Sequence, residues 1–163
     1  MNPSKVIFLD VDGVLNDMAT EEHAPYGFIG LSNVMIANLK RIVDATDAKI
    51  VLTSTWKNEW SPNPEERDKD GEYLHNKLLS QGLIISDKTI DKISDRGQGI
   101  RRYLEAHPEV KQWIVLDDDV FPDYEECGIR PHMIKTSFYV GGLTEKLADL
   151  AIKKMELQSK NDV

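Results

Sequence analysis

Val6-Ile7-Phe8-Leu9-Asp10-Val11-Asp12-Gly13-Val14-Leu15-Asn16 is the stretch whose reading decides the fold. Four apolar residues in a row form a strand buried on both faces. The strand ends in two carboxylates spaced two apart, and a glycine follows. In an open α/β sheet, chemistry gathers beyond the carboxyl ends of the strands. Strand alternation sends the side chains of Asp10 and Asp12 roughly the same way. Gly13 admits a sharp turn that a side chain would obstruct. Two neighbouring acids each disfavour ionisation of the other, and a hard divalent cation with oxygen ligands is the usual compensation.

Working outward, two further apolar runs end in functional residues. Lys49-Ile50-Val51-Leu52-Thr53-Ser54-Thr55-Trp56 reads as a second buried strand that ends in hydroxyls. Trp113-Ile114-Val115-Leu116 reads as another, closed by Asp117-Asp118-Asp119. Three acids at one strand end again ask for a cation. Leu83-Ile84-Ile85 and Met133-Ile134-Lys135-Thr136 read as shorter strands. Between the strands, Ser32 is a good N-cap for a helix carrying Val34, Ile36, Leu39, Ile42 and Val43 on or near one face, ending near Asp47. A second helix carries Tyr73, Leu74, Leu78 and Leu79 and stops at Gly82. A third begins near Gly97, with Ile100 and Leu104 inward and Arg96 at its mouth. Thr144 caps a last helix through Leu147, Leu150, Ala151 and Met155, and a frayed tail is expected over 159–163. Strands alternating with helices imply a doubly wound, Rossmann-like parallel sheet with helices on both faces. Residues 16–31 lack helical periodicity, contain Pro25, Gly27 and Gly30, and suggest a small hairpin. Tyr26 and Phe28 in that hairpin either pack it or touch substrate. Trp56 and Trp60 read as packing residues.

Composition sets outer bounds. A chain of 163 residues favours a single domain. Hydrophobic residues at 40% and charged residues at 29% are ordinary for a globular protein. The formal net charge of −8 weakens the case for broad, nonspecific adhesion to nucleic acid. The single cysteine, Cys127, excludes an internal disulfide and a thiolate zinc site, and a reducing cytoplasm is the expected compartment. The four histidines are scattered, without the spacing of a helical metal pair. No apolar run approaches a membrane span, so no membrane partner is expected, and no obligate protein partner is evident.

The string from Val6 to Asn16 resembles the first motif of the haloacid dehalogenase (HAD) superfamily of phosphohydrolases, an apolar strand followed by Asp-x-Asp-Gly-Thr/Val. The resemblance runs from Lys5 to about Leu157, with further motifs in the same order. It implies that Asp10 is the nucleophile, forming an aspartyl-phosphate, and that Asp12 is the general acid and then base. The second motif is a strand ending in Ser or Thr; Ser54 fits, with Thr53 as the alternative. The third is a basic residue before the last catalytic strand; Arg96 fits by position, and Lys92 and Lys88 fit less well. The fourth is Asp-Asp after an apolar strand, which Asp117 and Asp118 match, or an acid with a second one a few residues on, which Asp118 and Asp123 match. By the same resemblance Mg²⁺ would be held by carboxylates of Asp10 and of Asp118 or Asp117, and by the backbone carbonyl of Asp12. In the family a hairpin flap follows the first motif and covers the active site.

A signalling receiver domain, the rival with acids and Mg²⁺ on a similar sheet, places its phosphorylated Asp at a middle strand. Here that strand ends in Thr53-Ser54, which argues against it. Residues 16–31 give room only for a flap, and the segment between Trp56 and Arg96 only for a helix and a strand. The chain therefore reads as capless, with an open site able to admit the end of a large molecule. Among capless relatives it most resembles the phosphatase domains of polynucleotide kinase-phosphatases and similar domains associated with nucleic-acid repair. The implied substrate is a phosphorylated nucleic-acid end or nucleotide. The alternatives are a small phosphorylated metabolite and a catalytically silent binding module.

Overall fold

The computed structural model describes residues 4–92 and 95–160. Five strands, β1 (Ser4–Leu9), β2 (Lys49–Leu52), β3 (Ile85–Lys88), β4 (Val110–Asp117) and β5 (Met133–Lys135), form one sheet in the order β3-β2-β1-β4-β5. Every neighbouring pair is parallel. Four helices, α1 (Asn33–Thr46), α2 (Lys69–Leu79), α3 (Arg96–Ala106) and α4 (Glu145–Lys160), supply the crossovers and the covering layers. The sheet is wound outward in both directions from β1, so its middle strand is the one that leads into Asp10 and not, as expected, the one that leads into Thr53-Ser54, and the β1/β4 boundary is the topological switch point.

The apolar run of β1 is buried on both faces, as its composition requires. Ile7 and Leu9 join Ile50, Leu52, Ile114 and Leu116 in a core shared with α1, α2 and α4. Val6 and Phe8 point the other way, into a smaller core with Val51, Trp113, Val115 and Ile100 of α3. Leu9 is level with Leu52 on one side and with Leu116 on the other. The three strands therefore release their following residues, Asp10, Thr53 and Asp117, at one height on the carboxyl edge.

Several local expectations shift. Ser32 does cap α1, its hydroxyl accepting from the Met35 N–H, and Asp47 closes the helix in a left-handed conformation. The buried stripe, however, runs through Met35, Ile36, Leu39 and Ile42, and Val34 faces solvent. In α4 the inward positions are Ala148, Ala151 and Met155, and Leu150 is exposed. The expected strand Leu83-Ile84-Ile85 moves on to Ile85–Lys88. Gly82 turns with a positive φ, and the Leu83 N–H donates back to the Leu78 carbonyl, so Leu83 closes α2 before the strand begins. The second strand stops at Leu52. Thr55–Asn58 coil into a 3₁₀ turn capped by Ser54, which takes Trp56 out of the sheet. Ser159 and Lys160 continue α4, and the rest of the expected frayed tail, 161–163, lies outside the described residues. Residues 16–31 make one isolated antiparallel bridge, His23 with Ile29, around a tight turn. No large domain is inserted among the described residues, and none of their helices is long and apolar enough to cross a membrane.

Candidate active site

The turn after β1 is built for close approach. Gly13 has φ +82°, and a Cβ there would lie 2.1 Å from Oδ2 of Asp118. The glycine thus serves the turn and also lets the β4 acids come within reach of β1. The Gly13 N–H donates to Oδ1 of buried Asn16 at 2.9 Å. The Asn16 amide in turn donates to Oδ1 of Asp12 at 2.9 Å. The other oxygen of Asp12 accepts from the indole Nε1 of Trp56 at 3.2 Å. Asp12 is exposed, while Asp10 two residues earlier is buried. Equal residue types at the end of one strand therefore occupy opposite environments.

Beyond β2, the Thr53 N–H donates to the Leu9 carbonyl at 2.9 Å, continuing the sheet register. Both hydroxyl candidates are buried. The Ser54 hydroxyl accepts from the Trp56 N–H at 3.2 Å and caps the 3₁₀ turn. The Thr53 hydroxyl is buried with no hydrogen-bond partner among the described residues. Lys57 donates to the Thr53 carbonyl at 3.1 Å and pairs with Asp91 at 2.5 Å, bracing this strand end from behind.

Arg96, the first residue of α3, reaches the centre of the cluster. Its Nη1 donates to Oδ1 of Asp10 at 3.2 Å and to Oδ2 of Asp117 at 3.0 Å. Lys88 does not compete, because its ammonium donates to the carbonyls of Lys57 and Trp60. Lys92 lines a cleft of about 230 Å³ beside Arg96, together with Thr55, Asn58 and Phe121. The guanidinium of Arg96 lies 4.0 Å from the centroid of the Phe121 ring, a cation–π contact. Tyr124 donates its hydroxyl to Oδ2 of Asp117 at 2.7 Å.

Asp123 stands elsewhere than the second acid of the fourth motif would. Its two oxygens accept the N–H groups of Gly97 and Gln98 at 3.0 and 2.9 Å, capping α3 from another loop. The residue before the helix, Asp95, makes no side-chain cap of its own. A Cβ on Gly97 would lie 2.8 Å from Asp123, so the glycine admits the cap. Asp123 holds the helix that carries Arg96 and is engaged away from the acid cluster.

One carboxylate oxygen each from Asp10, Asp117 and Asp118 lie within 4.8 Å of one another. Burial pushes the Asp10 carboxyl well above its ordinary range, and Asp117 pushes it further, against the downward pull of Arg96. Asp118 is raised for the same reasons, burial first and Asp117 next. The Arg96 guanidinium titrates higher than an ordinary arginine, because Asp10 and Asp117 together outweigh its own burial. A single guanidinium leaves this group of acids short of positive charge. Its donors are all hard oxygens, which fit Mg²⁺. Asp117 already accepts from Arg96, Tyr124 and the Asp119 N–H. Asp10 and Asp118 are the freer pair. The Asp12 side chain is not in the cluster, and only its backbone carbonyl remains as a candidate ligand.

Of the residues singled out in the sequence, Asp10, Arg96, Asp117 and Asp118 come together, with Asp12, Thr53 and Ser54 around them. Asn16, Trp56, Phe121 and Tyr124 are site residues that sequence reasoning missed. Asn16 had a signal, four residues after Asp12 behind a glycine turn. Tyr124 and Phe121 had none: the hydroxyl of Tyr124 returns to Asp117 only through the fold of the loop between them, and Phe121 meets Arg96 from another element.

The sequence matches the family model described as the HAD domain in Swiss Army Knife RNA repair proteins over residues 6–148. No curated protein matches. Among solved structures, the chain is similar to the cobalt-bound deoxy-D-mannose-octulosonate 8-phosphate phosphatase YrbI of Haemophilus influenzae. That similarity has 17% identity, 99% coverage of this chain, 94% coverage of the other and a TM-score of 0.47. It is a remote likeness, and the assignment rests on the sequence match. With the motif residues gathered at the switch point of a doubly wound sheet, the chain belongs to the HAD domain family of Swiss Army Knife RNA repair proteins, within the HAD superfamily of phosphohydrolases.

Proposed function

We propose that this domain is a Mg²⁺-dependent phosphomonoesterase that works through an aspartyl-phosphate on Asp10 and acts on nucleic-acid ends or nucleotides. The observation that carries the chemistry is Arg96 bridging Asp10 and Asp117 at 3.2 and 3.0 Å, with Asp118 alongside. The RNA-repair context of the family supports the substrate class. A cytoplasmic setting suits the lone buried cysteine.

A bound Mg²⁺, held by Asp10, Asp118 and the Asp12 carbonyl, would neutralise the acids and a phosphate oxygen. Asp10 attacks phosphorus through a carboxylate oxygen, and the bond from phosphorus to the leaving oxygen breaks. Arg96 and a hydroxyl at the β2 end, Ser54 or Thr53, donate to the equatorial oxygens where charge develops. The unpartnered Thr53 hydroxyl favours Thr53 in that role. Asp12 gives its proton to the leaving oxygen, then takes one from a water that attacks phosphorus and releases inorganic phosphate from Asp10. Hydrogen bonds from Asn16 and Trp56 fix Asp12 in place for both transfers.

The net charge of −8 favours a second reading, a small phosphorylated metabolite in place of a polymer end. A parallel screen separates them: 3′- and 5′-phosphorylated oligonucleotides, mononucleotides, sugar phosphates and phosphopeptides, each with Mg²⁺. Preference for a nucleotide species is the expected result. Strong preference for a sugar phosphate would remove the nucleic-acid reading and leave the phosphatase reading standing.

A further inference from the structure

Both oxygens of Asp12 lead to the flap. Oδ1 accepts from Asn16, whose amide also donates to the Ile29 carbonyl at 3.4 Å. Oδ2 accepts from the indole of Trp56, and the Phe28 ring packs on that indole with centroids 5.2 Å apart. Trp56 is buried, whereas Phe28 is 45% exposed. An apolar ring is thus presented to solvent one side chain away from the residue that protonates the leaving group.

The flap is tied down around that ring. The Tyr26 N–H donates to fully buried Asp70 of α2 at 2.9 Å. The Leu31 N–H donates to the Tyr73 hydroxyl at 3.0 Å, and the Tyr73 ring lies 6.4 Å from the Trp56 ring. A Cβ at Gly30 would lie 2.7 Å from that hydroxyl, so the glycine permits the anchor. Phe28 therefore stands on a supported turn, so its π-face costs little conformational entropy to use.

We propose that Phe28 is a stacking wall for the nucleobase of the nucleotide whose phosphate is removed, which makes the flap a specificity element for base-bearing ends. The inference rests on Asp12 acting at the leaving oxygen. A base sits one sugar away from that oxygen, matching a ring one side chain away from Asp12. A phosphotyrosine ring carries the leaving oxygen itself and would fall at Asp12, short of Phe28. Stacking on an exposed aromatic is tolerant of base identity, so preference for a base is expected without preference for a sequence.

The test uses the full chain with Mg²⁺ and matched single-stranded oligonucleotides whose phosphorylated terminal residue carries or lacks its base, with a phosphotyrosine peptide as a third substrate. In the wild type the base-bearing end is preferred, as a ratio of kcat/KM, chiefly through KM. Phe28→Ala lowers that ratio about tenfold, and Phe28→Trp restores it. Phe28→Leu keeps the apolar contact with Trp56 without a π-face and lowers the ratio as well, which covers a failure of the alanine variant to fold. A ratio unchanged in both smaller variants, or an equal fall in kcat/KM for the phosphotyrosine peptide, overturns the stacking wall while leaving the phosphatase reading intact. Absence of Mg²⁺-dependent hydrolysis of every phosphomonoester would defeat the underlying reading as well.

Discussion

The acids beyond β1 and those beyond β4 look alike in sequence and do different work. After β1, Asp10 is buried against Arg96, and Asp12 is exposed and held by Asn16 and Trp56. In the proposed reaction each has its own place. After β4, Asp118 leans over Gly13 toward Asp10, Asp117 anchors Arg96 and Tyr124, and Asp123 caps a helix. Asp117 and Asp123 thus both engage Arg96, one directly and one through the helix that carries it. Carboxylates in one cluster are therefore better sorted by what they accept from than by how near they stand to a strand end.

The sharpest way to break this contrast is to neutralise one acid of each kind. Asp10→Asn should reduce turnover of an aryl phosphate by about a thousandfold or more, because an amide is a poor nucleophile. The same change relieves the buried repulsion with Asp117 and should not lower the melting temperature. Near wild-type rate in a clean preparation would show that Asp10 is not the nucleophile.

Asp123→Ala should behave the opposite way. Two N–H groups at the start of α3 lose their acceptor, at a cost of about 1–3 kcal/mol in stability. Rate should fall through loosening of Arg96, and by much less than in Asp10→Asn. Denaturant titration with parallel kinetics checks both. A stable Asp123→Ala protein with abolished turnover would place Asp123 in the chemistry after all.

Metal should join the two regions, because its proposed ligands include Asp10 from one and Asp118 from the other. Mg²⁺ at about a hundred times its dissociation constant would add ~2.7 kcal/mol of stability. The pH dependence follows from the raised carboxyls of Asp10 and Asp118. Their ordinary pKa is 3.8. Because the folded state binds these protons more tightly than the unfolded chain, their favourable contribution is full below that pH and is lost as pH rises through the raised values. In EDTA, melting temperature should therefore fall over that rise, and saturating Mg²⁺ should flatten the dependence. Identical melting curves in EDTA and in millimolar Mg²⁺ would count against the metal site.

The same contrast explains what the sequence could disclose. Asp10, Asp12 and Gly13 lie within one turn and announce themselves as a local string, and the buried strands are legible because apolar runs need no partner to be recognised. Arg96 could be placed only by position, since its contact with Asp10 spans 86 residues. The cap from Asp123 to Gly97 spans 26 residues, and nothing local distinguishes that acid from Asp118. Trp56 read as packing, and it does pack; its indole N–H on Asp12 emerges only when the 3₁₀ turn lifts it from the strand. Val34 and Ile84 misled for a simpler reason, because a single apolar residue can face solvent at little cost.

The central claim is the covalent intermediate on Asp10. The most direct measurement is mass spectrometry of Asp12→Asn protein quenched in acid during turnover of an aryl phosphate with Mg²⁺. An aryloxide leaves without help from a general acid, whereas hydrolysis of the intermediate still needs the base, so the intermediate should accumulate. The predicted result is one added phosphoryl group on the peptide containing Asp10. Turnover with no label on that peptide, or with the label on another residue, would contradict the account.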